Sequence, residues 1–139
     1  MMESEQFVKA VNQFNNGDFF SAHDSFEEIW INCRTREKEF LQGLVQLSVG
    51  MFNLVSWNFK GAVSQLRKSV EKLEKFDPKI SKIDVFYVVS KAKTLIFELE
   101  DFQKTDNVKS LQKLITHFIF PIKYQKENHY GDKDNRRMY

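Results

Sequence analysis

Phe40-Leu-Gln-Gly-Leu-Val-Gln-Leu-Ser-Val-Gly-Met-Phe-Asn-Leu-Val-Ser-Trp-Asn-Phe59 is a run of 20 residues without a charge. By length it could cross a bilayer, which takes about 20 apolar residues. Its polar groups argue otherwise. Gln42, Gln46, Ser48, Asn53, Ser56 and Asn58 would each need a partner in lipid. The run therefore reads as the buried central helix of a soluble domain, apolar on nearly every side. With Gln42 at zero on a helical wheel, Asn53 falls at about +20°, Gln46 at about +40°, Gly50 at about +80° and Gly43 at about +100°. Three amides share one stripe, edged by two glycines a heptad apart. Glycine inside a helix costs about 1 kcal/mol relative to alanine. Something is therefore expected to pack closely there, either another helix or a ligand.

Working outward, the chain has 139 residues with 5 glycines and 2 prolines, so turn punctuation is sparse and long helices are favoured over many strands. Its 14 phenylalanines point to a bulky core rather than to chemistry. Ser4 caps a first helix to about Asn15, which Gly17 ends. Asp18 caps a second, to about Cys33. Thr35 caps the third, with Glu37 and Glu39 in its first turn where the helix dipole favours acids. The fourth runs from about Asn58 to Phe76 and stops at Asp77-Pro78. Asp84 caps a fifth, to about Asp101, and a shorter sixth covers about Asn107 to Phe118. The expected fold is all-α: a bundle of five to six helices built from antiparallel hairpins. Residues 1–120 form one helical domain, and a polar, mobile C-terminal tail spans 121–139.

An internal echo supports the hairpins. Gly17-Asp18-Phe19-Phe20-Ser21-Ala22, followed by Phe26 and Trp30, parallels Trp57-Asn58-Phe59-Lys60-Gly61-Ala62, followed by Leu66 and Val70. The shared pattern is a cap, a phenylalanine, a small alanine, then apolar residues one and two turns on. It is loosely tetratricopeptide-like, although the spacing exceeds that repeat's period of about 34 residues.

The chemistry-bearing stretch is Ala22-His23-Asp24-Ser25-Phe26-Glu27-Glu28-Ile29-Trp30. His23 and Glu27 are one helical turn apart and so are neighbours. On a wheel His23 falls at the edge of the apolar face, Glu27 just outside it, and Asp24 and Glu28 in solvent. Buried amides need hydrogen-bond partners. His23 and Glu27 are therefore expected to partner Gln42 and Gln46, with Arg34 or Arg36 neutralising Glu27. Such a cluster serves as a register-fixing network, or as a ligand pocket formed by His23, Glu27, Trp30, Gln42, Gln46, Asn53 and Asn58.

Other classes find less support. A metal site would use His23 and Glu27 but lacks an evident third ligand, since His117 and His129 lie near the tail. Catalysis by His23 would need a cleft and an oxyanion donor. The sequence shows neither, and no catalytic residue, metal ligand or cofactor is assigned. Cys33 is the sole cysteine and reads as a small buried apolar residue in a reducing compartment. Net charge is +2, carried by the C-terminal tail, which gives no general electrostatic case for nucleic acid.

Three blocks in order resemble a known family. They are Phe14-Asn-Asn-Gly17-Asp-Phe-Phe-Ser-Ala22-His23-Asp24-Ser-Phe-Glu27-Glu28-Ile-Trp30, then Phe40-Leu-Gln42-Gly43-Leu-Val-Gln46-Leu, then Asn58-Phe-Lys-Gly61-Ala62. Over about Phe14 to Phe76 the chain is similar to a group of small all-helical, mostly bacterial and plastid-lineage proteins catalogued as domain of unknown function three hundred and nine. The resemblance implies a helical bundle and supplies no mechanism. The chain departs from the family at Ser21 and Asp24, where the family has glutamates. It departs again at Asn53, in place of a histidine, and at Trp57, in place of a glycine. If the family binds a metal through two histidines, one ligand is missing here.

The resulting expectation is a non-enzymatic module that binds a protein or small ligand, with a homo-oligomer possible and no membrane partner. The alternative is a hydrolase or metal-dependent enzyme centred on His23 and Glu27. The expected location is the cytoplasm, or a plastid stroma.

Overall fold

Four side chains start four of the helices. The Ser4 hydroxyl accepts from the Phe7 amide at 3.1 Å and the Asp18 carboxylate from the Ser21 amide at 3.4 Å. The Asn58 carbonyl accepts from the Gly61 amide at 3.0 Å and the Asp84 carboxylate from the Tyr87 amide at 3.0 Å. Each satisfies an amide the helix itself cannot. In the computed structural model, which describes residues 4–76, 82–117 and 119–125, the helices are α1 (Glu5–Asn15), α2 (Phe19–Asn32), α3 (Glu37–Val55), α4 (Phe59–Leu73), α5 (Val85–Thr105) and α6 (Val108–His117). The described residues hold no strand, only an isolated bridge between Ile83 and Tyr124. The all-α expectation holds.

Boundaries differ where local contacts intervene. Arg36 takes the cap position of α3, yet the Thr35 hydroxyl still accepts from the Glu37 amide at 3.3 Å. Helix α4 stops at Leu73 rather than Phe76, because Phe76 turns back to meet Phe40 edge-on at 5.3 Å. The expected stop at Asp77-Pro78 and the end at Phe118 lie outside the described residues. Helix α5 runs past Asp101 to Thr105, where Asp106 enters the left-handed region at φ 52°.

Consecutive helices pack on one another, with α3 between α2 and α4. The two α3 glycines face α4. A β-carbon at Gly43 would lie 2.8 Å from Leu73 Cδ2, and one at Gly50 would lie 2.9 Å from Leu66 Cδ2. Ser69 of α4 donates to the Gly43 carbonyl at 2.7 Å. The close approach predicted at these glycines is thus made by a helix. Phe7, Phe14, Phe26, Phe40, Leu41, Leu44, Leu47, Met51 and Leu66 are fully enclosed, each contributing about 1.5–3 kcal/mol by leaving water.

The two echoed turns share one geometry. In the first, the Gly17 amide donates to Phe14 O at 3.0 Å and the Asp18 amide to Gln13 O at 2.9 Å. In the second, the Trp57 amide donates to Leu54 O at 3.0 Å and the Asn58 amide to Asn53 O at 2.8 Å. Both are Schellman closures, and in each the next residue caps the following helix.

Pro121, where the sequence pattern predicts the start of a tail, lies inside a packed segment. Phe120 and Ile122 are buried. Asn15 clasps Ile122, accepting from its amide at 2.8 Å and donating to its carbonyl at 3.2 Å. The Asp84 amide donates to Lys123 O at 2.6 Å and the Gln125 amide to Lys82 O at 2.5 Å. The alternation Phe120-Pro-Ile122 puts two apolar side chains on one face of an extended strand-like segment, a period too short to register beside the helical pattern. Residues 126–139 lie outside the described part.

Candidate functional site

Helix α2 sets its first aromatic, Phe19, into the core and its second, Phe20, outward. One turn on, His23 is half-buried. Its Nδ1 lies 3.4 Å from Asp24 Oδ1 and its Nε2 lies 3.7 Å from Glu27 Oε1. Asp24 and Glu28 are exposed and Glu27 is intermediate, as the wheel indicates. The ligand atoms of His23, Asp24 and Glu27 fall within 4.8 Å of one another. Beside them Asp24, Ser25, Glu27, Glu28 and Ile31 line a shallow groove of about 300 Å³.

The expected network across α2 and α3 does not form. Among the described residues no hydrogen bond joins His23 or Glu27 to Gln42 or Gln46, and no ion pair joins Glu27 to Arg34 or Arg36. The imidazole reaches carboxylates on its own helix instead, because i,i+1 and i,i+4 partners are nearer than the next helix. Gln46 keeps its Oε1 buried without a partner, a cost of about 1–3 kcal/mol for an unpaired acceptor.

Trp30 lies about 10 Å along the helix from His23, at the turn into α3. The Lys38 ammonium sits 5.0 Å over its ring and donates to Trp30 O at 3.2 Å and Cys33 O at 3.4 Å. It thereby neutralises the carbonyl end of α2. Cys33 is buried, as expected, with Sγ 3.3 Å from the Thr35 hydroxyl.

Asn53 and Asn58 gather at the turn from α3 to α4. A β-carbon at Gly61 would lie 2.5 Å from Asn58 Nδ2 and 3.0 Å from Asn53 Nδ2. Glycine is what lets both amides close over the start of α4. The seven expected site residues therefore split among the His23 turn, the Trp30–Lys38 turn, the first half of α3 and this second hairpin.

What the sequence reading missed is aromatic and exposed. Phe20 packs against Phe52 at 5.6 Å, with the His23 ring 6.1 Å from Phe20. Trp57 is 73% exposed and holds φ 64°, and its ring meets Phe59 at 5.5 Å. The signal was present at Trp57, where a bulky residue stands at a helix end that favours glycine. At Phe20 and Phe52 it was hidden, because phenylalanines in a helical pattern read as core.

The blocks carrying His23, Gln42, Gln46 and Asn58 thus sit on three consecutive packed helices. Residues 7–65 match the model of the Domain of unknown function (DUF309). The DUF309 match begins in α1 and ends within α4, so it contains all seven site residues, while α5, α6 and the docked segment lie beyond it. No curated protein and no solved structure matches the chain.

Proposed function

We propose that this chain is a non-enzymatic binding module that recognises a protein partner through the aromatic end of its bundle, formed by Phe52, Val55 and Trp57 and flanked by His23, Asn53 and Asn58. The carrying observation is Trp57, exposed and held in the left-handed region. An L-residue there costs roughly 1–2 kcal/mol. A ring in solvent regains little of that by packing, so the cost points to a use outside the fold. Tryptophan is also the side chain most enriched among interface anchors. The test is site-specific photo-crosslinking at position 55 in cells. One defined partner should be captured with Trp57 present and lost with Trp57→Gly, while circular dichroism shows the variant folded. Equal capture by both proteins would overturn the reading.

A second reading, a metal-dependent hydrolase, rests on the convergence of His23, Asp24 and Glu27. One imidazole nitrogen and two carboxylates could hold a divalent ion with open positions. Elemental analysis of the purified protein decides it. A stoichiometric metal lost in His23→Ala supports the site, and its absence from the parent removes it.

A further inference from the structure

We propose that copies of this chain associate head to tail, with the outward face of α2 in one copy docking along the outward face of α5 in the next. Phe20 and Ile31 on α2 are 55% and 61% exposed. Phe86 and Phe97 on α5 are 79% and 67% exposed. Within each pair the residues are 11 positions apart. That is just over three turns, so they share a face to within about 20° and stand about 16 Å apart. The two helices therefore present apolar anchors of the same spacing.

Charge supplies the pairing. Between its anchors α2 carries Asp24 and Glu27 on that face, with no lysine or arginine anywhere from Phe19 to Asn32. At the matching positions α5 carries Ser90 and Lys93. An antiparallel contact sets Asp24 opposite Lys93, and a parallel one sets Glu27 there. Either direction gives Lys93 a carboxylate and Ser90 the other. Lys93 already meets Glu74 at 2.5 Å on the surface, and docking adds a second acid to an exposed pair. Two α2 faces brought together would oppose carboxylates, and two α5 faces would bring Lys93 no carboxylate from the other copy, so like-with-like contacts lack the charge pairing of the mixed one.

A single helix-on-helix contact buries less than the roughly 800 Å² per partner of a stable complex, so association is weak and concentration-dependent. A heterologous contact leaves one free face at each end, and growth proceeds to a ring or chain. The proposal does not rest on the partner reading above, since Ile31 and Phe97 lie outside the aromatic end.

Sedimentation equilibrium tests it over about 10 μM to 1 mM, the range of a weak interface. The parent should exceed the monomer mass as concentration rises. Ile31→Asp and Phe97→Asp should each stay monomeric with unchanged circular dichroism. Mixed one to one they should form a heterodimer, because one supplies an intact α5 face and the other an intact α2 face. A parent that stays monomeric throughout overturns the proposal. So do folded variants that associate like the parent, or a mixture that stays monomeric.

Discussion

Trp57 occupies in the second hairpin the position that Gly17 occupies in the first. Both are left-handed, at φ 64° and 82°, and both donate their amide to the carbonyl three residues back at 3.0 Å. Only the side chain differs. Trp57→Gly should therefore raise stability by about 1 kcal/mol. Gly17→Ala, with open space around its β-carbon, should lower it by about 1 kcal/mol through backbone strain alone. Urea midpoints moving in opposite directions at constant m-value would check both.

The α3–α4 contact predicts a ranking. Alanine at Gly43 meets the Leu73 side chain and, at 3.3 Å, Lys72 Cβ, and alanine at Gly50 meets Leu66 at both its side chain and its backbone nitrogen. Gly50→Ala should cost about 2 kcal/mol from overpacking. Gly43→Ala should cost less, because it meets side-chain atoms alone, with no backbone atom among its near contacts. Ser69→Ala removes the bond to Gly43 O and should cost about 1 kcal/mol. Thermal unfolding of the three variants would order them.

Asn15 holds the C-terminal segment through Ile122. Asn15→Ala leaves a buried amide unpaired and should cost about 2 kcal/mol. Amide exchange at Ile122 should accelerate before that of α3. Phe120→Ala should cost about 3–5 kcal/mol as a core cavity. If both variants unfold like the parent, the segment does not contribute to the fold.

Burial raises the Tyr124 phenol above its ordinary value near 10. The folded state then holds the proton more tightly than the unfolded chain. Its stabilising contribution is complete below the unfolded value and is lost as pH rises from there through the folded one. Lysines titrate in the same range, so the comparison is with Tyr124→Phe. The parent should lose stability more steeply than the variant above pH of about 10. Ultraviolet titration should place the folded phenol higher than the urea-unfolded one.

The legible parts were those governed by neighbours in the chain. Ser4, Asp18, Asn58 and Asp84 cap because the amides they satisfy are two or three residues on. The charge-free run from Phe40 to Phe59 is central as far as Leu54, where its apolar residues mostly pack inward, but Phe52 and the end of the run from Val55 to Asn58 are exposed. The His23–Glu27 proximity also held, because one helical turn enforces it. The expected bridge to Gln42 and Gln46 required knowing how α2 is rotated against α3. There the imidazole found carboxylates nearer at hand.

The sequence by itself determined the all-α fold, the caps at Ser4, Asp18, Asn58 and Asp84 and the buried side of α2, because these depend on a period of 3.6 residues and on contacts within a turn. The tertiary structure alone decided which element meets each face. The two glycines of α3 admit a helix rather than a ligand, because Leu66, Ser69 and Leu73 arrive there from α4. Ile122, placed by the sequence in a tail, is held against the helices, because Asn15 reaches a strand-like segment 107 residues away. Trp57 stayed largely in solvent, because the Schellman turn that fixes its backbone leaves its ring with Phe59 as its aromatic contact and the rest of the side chain uncovered.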